Sequence, residues 1–385
     1  SSHDQLDEQW VKHTTENEKK YFKKKWRGDL GNGYLKTIQW GKQINLTMPE
    51  TILLSQSNRN LESNTPLVSS IVPFYNRKKM LGITIKSLIG QTYKNQEIIF
   101  VDDHSNEDLE PFIKNQLESF QGNWKILRIS YNSGPGIARK IGMKNCNGKY
   151  IQFIDSDDEP LPNKISEQVK FLENNEKILM TYGTTIIGKA EDEMAILGKT
   201  NKEKNRISPL FPYELYWTTS SILWRKSYIS EDSWFPLFGS EDLLFEFING
   251  LLDYPIAHTP SRTPILKKWL HPENISNEIA SDYLYQMEIL KCYDIILEKF
   301  YENDISSYNR IIAELYKNKI MFFLVQRRYN EAHYCIYMYN KLIERIISIE
   351  LLAFTFSKWF SIKSIYRILR MYYWLKKIVK RKVTF

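Results

Sequence analysis

Cysteine is scarce: 385 residues hold three, Cys146, Cys292 and Cys335, with no close pair among them. That excludes a zinc site of paired thiolates and a disulfide framework, and fits a reducing compartment. Long apolar runs are also missing. No stretch reaches the ~18 uncharged apolar residues that a membrane-spanning helix needs, and the polar N-terminus lacks the apolar core of a signal peptide. A soluble or peripheral chain is expected. Core material is ample: 42% hydrophobic and 25% charged residues exclude disorder, collagen and a disulfide scaffold. At ~100–200 residues per domain, two or three structural units are expected.

The formal net charge is +8, and it is unevenly placed. Leu351–Phe385 carries nine Lys and Arg and no acid, which leaves the remainder close to neutral. A charged-groove nucleic-acid binder is therefore disfavoured for the body of the protein. At about 100° per residue, Lys363, Arg367, Arg370, Lys377 and Arg381 fall within a sector of about 80°, broadly opposite Ile365, Leu369, Tyr372, Tyr373 and Val379. A basic amphipathic helix of this kind suits an anionic membrane surface. A helix docked on the protein with a solvated basic face is the alternative.

Texture divides the chain into a polar N-terminal extension and linker at 1–65, a sheet-and-helix domain at 66–275, a helical region at 276–345 and the basic amphipathic helix at 346–385. Within the second segment, Leu67–Val72 reads as a buried strand, and Leu81, Ile85, Leu88 and Ile89 form a helical face at i, i+4, i+7 and i+8. A strand at 97–101, a helix near 107–120, a strand at 125–130, a helix near 135–146 and a strand at 150–154 continue the alternation. Such alternation predicts an α/β fold with a mostly parallel sheet covered by helices on both faces, and ligands beyond the carboxyl ends of its strands.

Those ends are polar. Asp155-Ser156-Asp157-Asp158 places three carboxylates in four residues after an apolar strand, a costly arrangement unless a cation or hydrogen-bond donors neutralise it. A hard divalent cation, Mg²⁺ or Mn²⁺, fits that chemistry; an acidic turn capping the next helix is the plainer reading. Asp102 and Asp103 end the neighbouring strand, where they suit a helix N-cap equally well. Asn132-Ser-Gly-Pro-Gly-Ile-Ala-Arg139 allows close backbone approach and presents a guanidinium one turn into a helix, but lacks the last glycine of a dinucleotide fingerprint. Further on, Ser240-Glu241-Asp242 opens an aromatic helix, which suits a general base or a pair of caps favoured by the helix dipole.

The ordered set resembles glycosyltransferase family 2, the inverting GT-A enzymes, here of the bacterial surface-polysaccharide type. It comprises Val68–Arg77, Gln91-Thr-Tyr followed by Glu97–Ser105, Asn132-Ser-Gly134 with Ala138-Arg139, Phe153–Asp158, and Ser240–Asp242. Each motif is short, and the specificity lies in their order over about residues 66–275. The resemblance implies a GT-A catalytic domain. It places Tyr75 and Asp103 at the nucleotide base, with Pro73 and Asn76 beside them in the nucleotide site. Arg139 falls near base and diphosphate, Asp155 on the ribose side, and Asp157 on the metal. Asp242 matches the catalytic base, with Glu241 beside it. It further implies a UDP-sugar donor, while the basic tail suggests residence at the inner face of the cell membrane and a glycan or lipid-linked acceptor. His104 stands where the family usually has glycine, and Pro135 is an uncommon choice. After the acidic pair, Lys267–Ser276 offers His271 as a further metal or diphosphate ligand. Trp269, Trp234 and Trp217 are candidates to stack on an acceptor sugar, with a place in the core as the alternative. The sequons at Asn45 and Asn274 read as chance for a cytosolic-facing chain. Two rivals remain: a nucleotidyltransferase, disfavoured because Pro73–Arg77 has no glycine, and a catalytically idle carbohydrate- or partner-binding scaffold, disfavoured because every expected carboxylate is present.

Overall fold

The computed structural model describes residues 48–59, 64–188, 194–196, 200, 202–207, 217–237, 239–250, 254–269, 283–302, 309–325 and scattered positions from 331 to 342. The chain divides into two compact units, with the division at Cys292/Tyr293.

The first unit is built on strands β1 (Thr51–Gln56), β2 (Val68–Phe74), β3 (Gln96–Asp102), β4 (Asn123–Ile129) and β5 (Tyr150–Phe153). Helices α1 (Lys78–Ile89), α2 (Glu110–Gln116) and α3 (Pro135–Lys144) alternate with them. Next come β6 (Asp158–Pro160), α4 (Lys164–Glu173), β7 (Met180–Tyr182), β8 (Thr185–Gly188) and β9 (Met194–Ile196). The unit continues with β10 (Leu223–Arg225), α5 (Glu241–Gly250), β11 (Ile256–His258) and β12 (Leu266–Trp269). An eight-stranded sheet has the order β1-β4-β3-β2-β5-β10-β7-β11, and a four-stranded sheet the order β6-β12-β8-β9. Beyond them lie helices α6 (Tyr283–Glu302) and α7 (Asn309–Val325), within the stretch read as helical.

Every residue of β2 and β3 is buried, as a strand covered on both faces requires. Successive residues face opposite sides: Ile71 joins Ile99, Ile137 and Phe153 in one cluster, and Val72 joins Phe100, Leu81 and Ile85 in the other. The β2–β3, β3–β4 and β2–β5 pairings are parallel. Strand order reverses between β2 and β5, so the loops leaving these two strands flank the crevice where doubly wound sheets bind ligands.

Two features depart from the sequence reading. Thr51–Gln56, assigned to the polar extension, forms the edge strand β1, antiparallel to β4. Its pattern is uninformative because one strand neighbour suffices and Ile52 and Leu53 stay exposed. The large sheet is also more mixed than the alternation implies, since the three-residue β10 inserts antiparallel between β5 and β7.

Candidate functional site

Loops at the carboxyl ends of β2, β3, β4 and β5 converge. Among the described residues, Asn76, Arg77, His104 and Ser240 are the non-glycine positions with left-handed backbone (φ 56, 59, 66 and 62°), and all four lie in these loops or at the start of α5. Such strain persists only where surrounding contacts hold it. At Asn76 the holding contacts are visible: its N–H donates to Ser105 Oγ (2.7 Å), and its Oδ1 accepts from Asn106 N–H (3.0 Å). His104, where glycine is usual, keeps the left-handed turn with Nδ1 3.2 Å from Ile129 O.

Asp103 is buried and accepts the N–H groups of Ser133 (2.7 Å) and Gly134 (2.9 Å), which ties the β3 loop to the N-terminus of α3. Burial pushes its carboxyl up to about 8, with those two N–H groups opposing the shift. Gly134 sits at φ 87°, ψ 163°, a conformation open essentially to glycine, and Pro135 then starts α3. Pro73 is buried in β2, and Tyr75 is half-buried just beyond it.

Arg139 is the centre of the arrangement. Its side chain, 5% exposed, donates from Nη2 to Asp155 Oδ1 and from Nη1 to Glu241 Oε1, each at 2.7 Å. Its guanidinium also lies 5.1 Å from the ring of Trp234. One guanidinium therefore joins the loop after β5 to the start of α5. Burial raises the Asp155 carboxyl, but Arg139, Lys268 and Arg77 more than offset it and hold it below the usual range. Glu241 is pushed up to about 7 by burial and by the neighbouring charge of Asp242, against the pull of Arg139.

The other acids have their own cations. Asp157 pairs with Arg77 (3.1 Å). Asp158 lies cross-strand from Lys268; burial pushes it up to about 7, with Lys268 opposing. The field of Asp158, with Asp155, Asp157 and Asp242, raises Lys268 above the ordinary lysine value. Much of the charge compensation that the acidic run requires thus comes from the chain itself. Among the described residues no group of three potential ligands converges to cage a metal. The hard oxygens of Asp157 nevertheless suit a cation whose remaining positions go to substrate phosphates and water, the common arrangement for Mg²⁺ and Mn²⁺.

Asp242, half-buried in the first turn of α5, accepts the Thr219 hydroxyl on Oδ2 (2.9 Å) and the Leu243 N–H on Oδ1 (2.8 Å). Thr219 belongs to a short 3₁₀ turn, Thr219–Ser221, whose Ser220 Oγ accepts the Asp155 N–H (3.0 Å). The sequence reading missed Thr219, Ser220, Arg77 and Lys268 as site residues. For the first two, the only signal was a small-hydroxyl run, Thr218–Ser221, between aromatic and apolar residues.

The tryptophan candidates need correction. Trp234 is 1% exposed, stacked on Phe245 (4.1 Å between centroids) and covered by Arg139, so it belongs to the core and offers no face to a sugar. Trp217 is likewise buried, its indole N–H donating to Glu246 Oε2 (2.7 Å). Trp269 is half-buried; its N–H reaches Glu159 Oε2 (3.0 Å), and Lys267 Nζ lies 3.7 Å from its ring. His271 and the basic tail at 346–385 lie outside the described residues.

Residues 69–229 match the Glycosyl transferase family 2 family, so this segment carries that family's domain. The chain is 34% identical over 140 residues to an uncharacterized glycosyltransferase of Haemophilus influenzae, covering 36% of this chain and 55% of that protein. It is 39% identical over 125 residues to the Escherichia coli UDP-Glc:alpha-D-GlcNAc-diphosphoundecaprenol beta-1,3-glucosyltransferase WfaP, covering 32% and 47%. With the putative teichuronic acid biosynthesis glycosyltransferase TuaG of Bacillus subtilis it shares 32% over 107 residues, covering 28% and 42%. The chain thus spans about half the length of these curated relatives. The S. aureus TarS 1-349 structure in complex with UDP-GlcNAc superposes with a TM-score of 0.61 over 80% of this chain and 92% of that one, at 18% identity. That likeness establishes the GT-A fold.

Proposed function

We propose that the protein is an inverting glycosyltransferase that moves a sugar from a nucleotide-sugar, a UDP-sugar, to a hydroxyl of a glycan or lipid-linked acceptor. The observation that carries the reading is the Arg139 bridge. It brings the Asp155–Asp158 run and the Glu241–Asp242 pair, 86 residues apart in sequence, to one mouth of the sheet at the end where ligands bind. The named relatives support it: WfaP is by name a UDP-Glc-dependent enzyme acting on a diphosphoundecaprenol-linked sugar, and TarS was crystallised with UDP-GlcNAc.

In the proposed mechanism the nucleotide lies along the loops after β2 and β3, with Tyr75 and Asp103 at the base, Pro73 and Asn76 shaping its pocket, and Asp155 on the ribose side. Asp242, oriented by Thr219, takes the proton of the acceptor hydroxyl. The freed oxygen attacks the anomeric carbon from the face opposite the leaving nucleoside diphosphate, so the configuration inverts and no covalent enzyme intermediate forms. Lys268 and Arg77 supply positive charge beside the departing diphosphate, worth most where water is excluded. Asp157, with His271 as a further candidate, would hold a Mn²⁺ or Mg²⁺ ion, which supplies electrophilic stabilisation of the diphosphate when bound. The basic tail would hold the enzyme on an anionic membrane surface.

Nucleotide release across a panel of nucleotide-sugars, with Mn²⁺ and an acceptor extract and with Asp157→Ala as control, tests the reading. Metal-dependent release from one donor, lost in the variant, is expected. No release and no UDP binding would overturn it in favour of the idle scaffold.

A further inference from the structure

Lys164, the first residue of α4, is buried at 0% exposure with no charged partner in reach of its hydrogen bonds. Its Nζ donates to Gln152 Oε1 (2.6 Å), Gln168 Oε1 (2.9 Å) and the Ile222 carbonyl (3.3 Å). Three donors meet three neutral acceptors, which fully satisfies an ammonium group. Keeping a lysine here is nonetheless costly, because no anion repays its desolvation; burial alone pushes its amine down to about 7.

Those contacts all lead to the site. Gln152 lies on β5, three residues before Asp155, and its Nε2 is fixed on Ser70 Oγ of β2 (2.7 Å). Gln168, one turn along α4, donates to the Ser221 carbonyl (2.8 Å) and the Thr181 carbonyl (3.1 Å). Lys164 and Gln168 therefore hold the carbonyls of Ile222 and Ser221 from behind. These belong to the 3₁₀ turn that presents Thr219 to Asp242 and Ser220 to the Asp155 N–H. The turn is closed on its own side by Ser221 N–H to Thr218 O (2.8 Å) and by reciprocal Thr218–Ser221 capping.

We propose that Lys164 is a positioning residue that, from the interior, locks the Thr218–Ile222 turn and through it the orientation of Asp242 and of the acidic loop after β5. Its catalytic consequence rests on the glycosyltransferase reading above; its structural consequence does not.

The test compares the full chain with Lys164→Met, Gln168→Met, Thr219→Val and the Lys164→Met/Thr219→Val double variant. Two readouts are used: steady-state transfer, and amide exchange at Asp155, Ser221 and Ile222. Lys164→Met should lower kcat about tenfold to a hundredfold, the scale of a sub-ångström misplacement of a catalytic group. UDP affinity should fall by less than kcat does, because only the Asp155 side of the nucleotide rests on this turn while Tyr75 and Asp103 stand on other loops. The double variant should be no slower than the worse single one, because both changes act through one turn. Exchange at the three amides should quicken at least tenfold while that of β3 stays unchanged. Wild-type kcat in folded Lys164→Met, additive losses in the double variant, or unchanged exchange at the turn would each overturn the assignment. Should Lys164→Met fail to fold, Gln168→Met, which removes the Ser221 and Thr181 contacts and one acceptor of Lys164, must show the same exchange pattern, and its absence is equally fatal. A wild type silent on every donor would sink the transferase reading, while the exchange data would still decide the role of Lys164.

Discussion

Arg139 Nη1 lies 2.7 Å from Glu241 Oε1, between residues 102 apart in sequence and both nearly excluded from solvent. With the second arm on Asp155, the guanidinium acts as a two-pronged brace, a task that its planar fork performs and an ammonium cannot. Removing it should be expensive. Arg139→Met leaves two carboxylates facing a buried apolar chain and should cost about 3–5 kcal/mol in chemical denaturation. Adding Glu241→Gln should recover part of the loss, whereas full additivity of the two changes would refute the brace.

Gly136 lies where α3 meets that brace. A Cβ there would fall 2.4 Å from the Phe235 carbonyl and 3.3 Å from Glu241 Cβ and Cγ. A backbone carbonyl cannot swing aside, so Gly136→Ala should cost about 1–3 kcal/mol and reduce transfer by shifting Glu241 and Asp242. Gly82→Ala on α1, whose nearest neighbour at 3.1 Å is the edge of the Phe112 ring, is the matched control and should leave both within error. Equal effects from the two variants would count against this account.

Asp242→Asn keeps the size of the side chain and an oxygen for the Thr219 hydroxyl, but removes the proton acceptor. Transfer should fall at least about 100-fold, within the usual contribution of a general base. Calorimetric UDP binding should be nearly unchanged, and loss of UDP binding would remove Asp242 from the role of base.

Asp103 should make stability depend on pH. Its carboxyl is pushed up to about 8 when folded, against a reference value of 3.8. Between these values the folded chain keeps a proton that the unfolded chain releases. The contribution is therefore fully present below pH ~4 and lost as pH rises through ~8. The Tm difference between the wild type and Asp103→Asn should change by roughly 2 °C or more from pH 5 to pH 8, with the wild type losing ground at the higher pH. A difference constant across the range would mean that the Ser133 and Gly134 N–H groups hold the side chain as an anion throughout.

The basic tail gives a prediction independent of the site. Deleting residues 346–385 should release the protein from vesicles containing anionic lipid while leaving turnover of a soluble acceptor within about twofold. Binding by nine clustered cations should also weaken steeply with salt. Unchanged vesicle binding after the deletion would discard the membrane role.

The parallel core and the positions of its acidic loops are legible along the chain. Strands such as Val68–Phe74 and helices such as Lys78–Ile89 declare themselves through local periodicity, because covering both faces of a sheet imposes a pattern on every few residues. Motif order along those loops sufficed to point to the family whose domain spans 69–229. What those residues do to one another follows from the folded chain alone. That Arg139 braces Asp155 and Glu241, that Arg77 takes Asp157, that Trp234 is core, that Thr219 meets Asp242 and that Lys164 meets the Ile222 carbonyl depends on packing between segments tens to a hundred residues apart. An ion pair or a hydrogen bond has no sequence period: its partners are fixed by which elements the burial of the sheet brings together, and only the folded chain shows which those are.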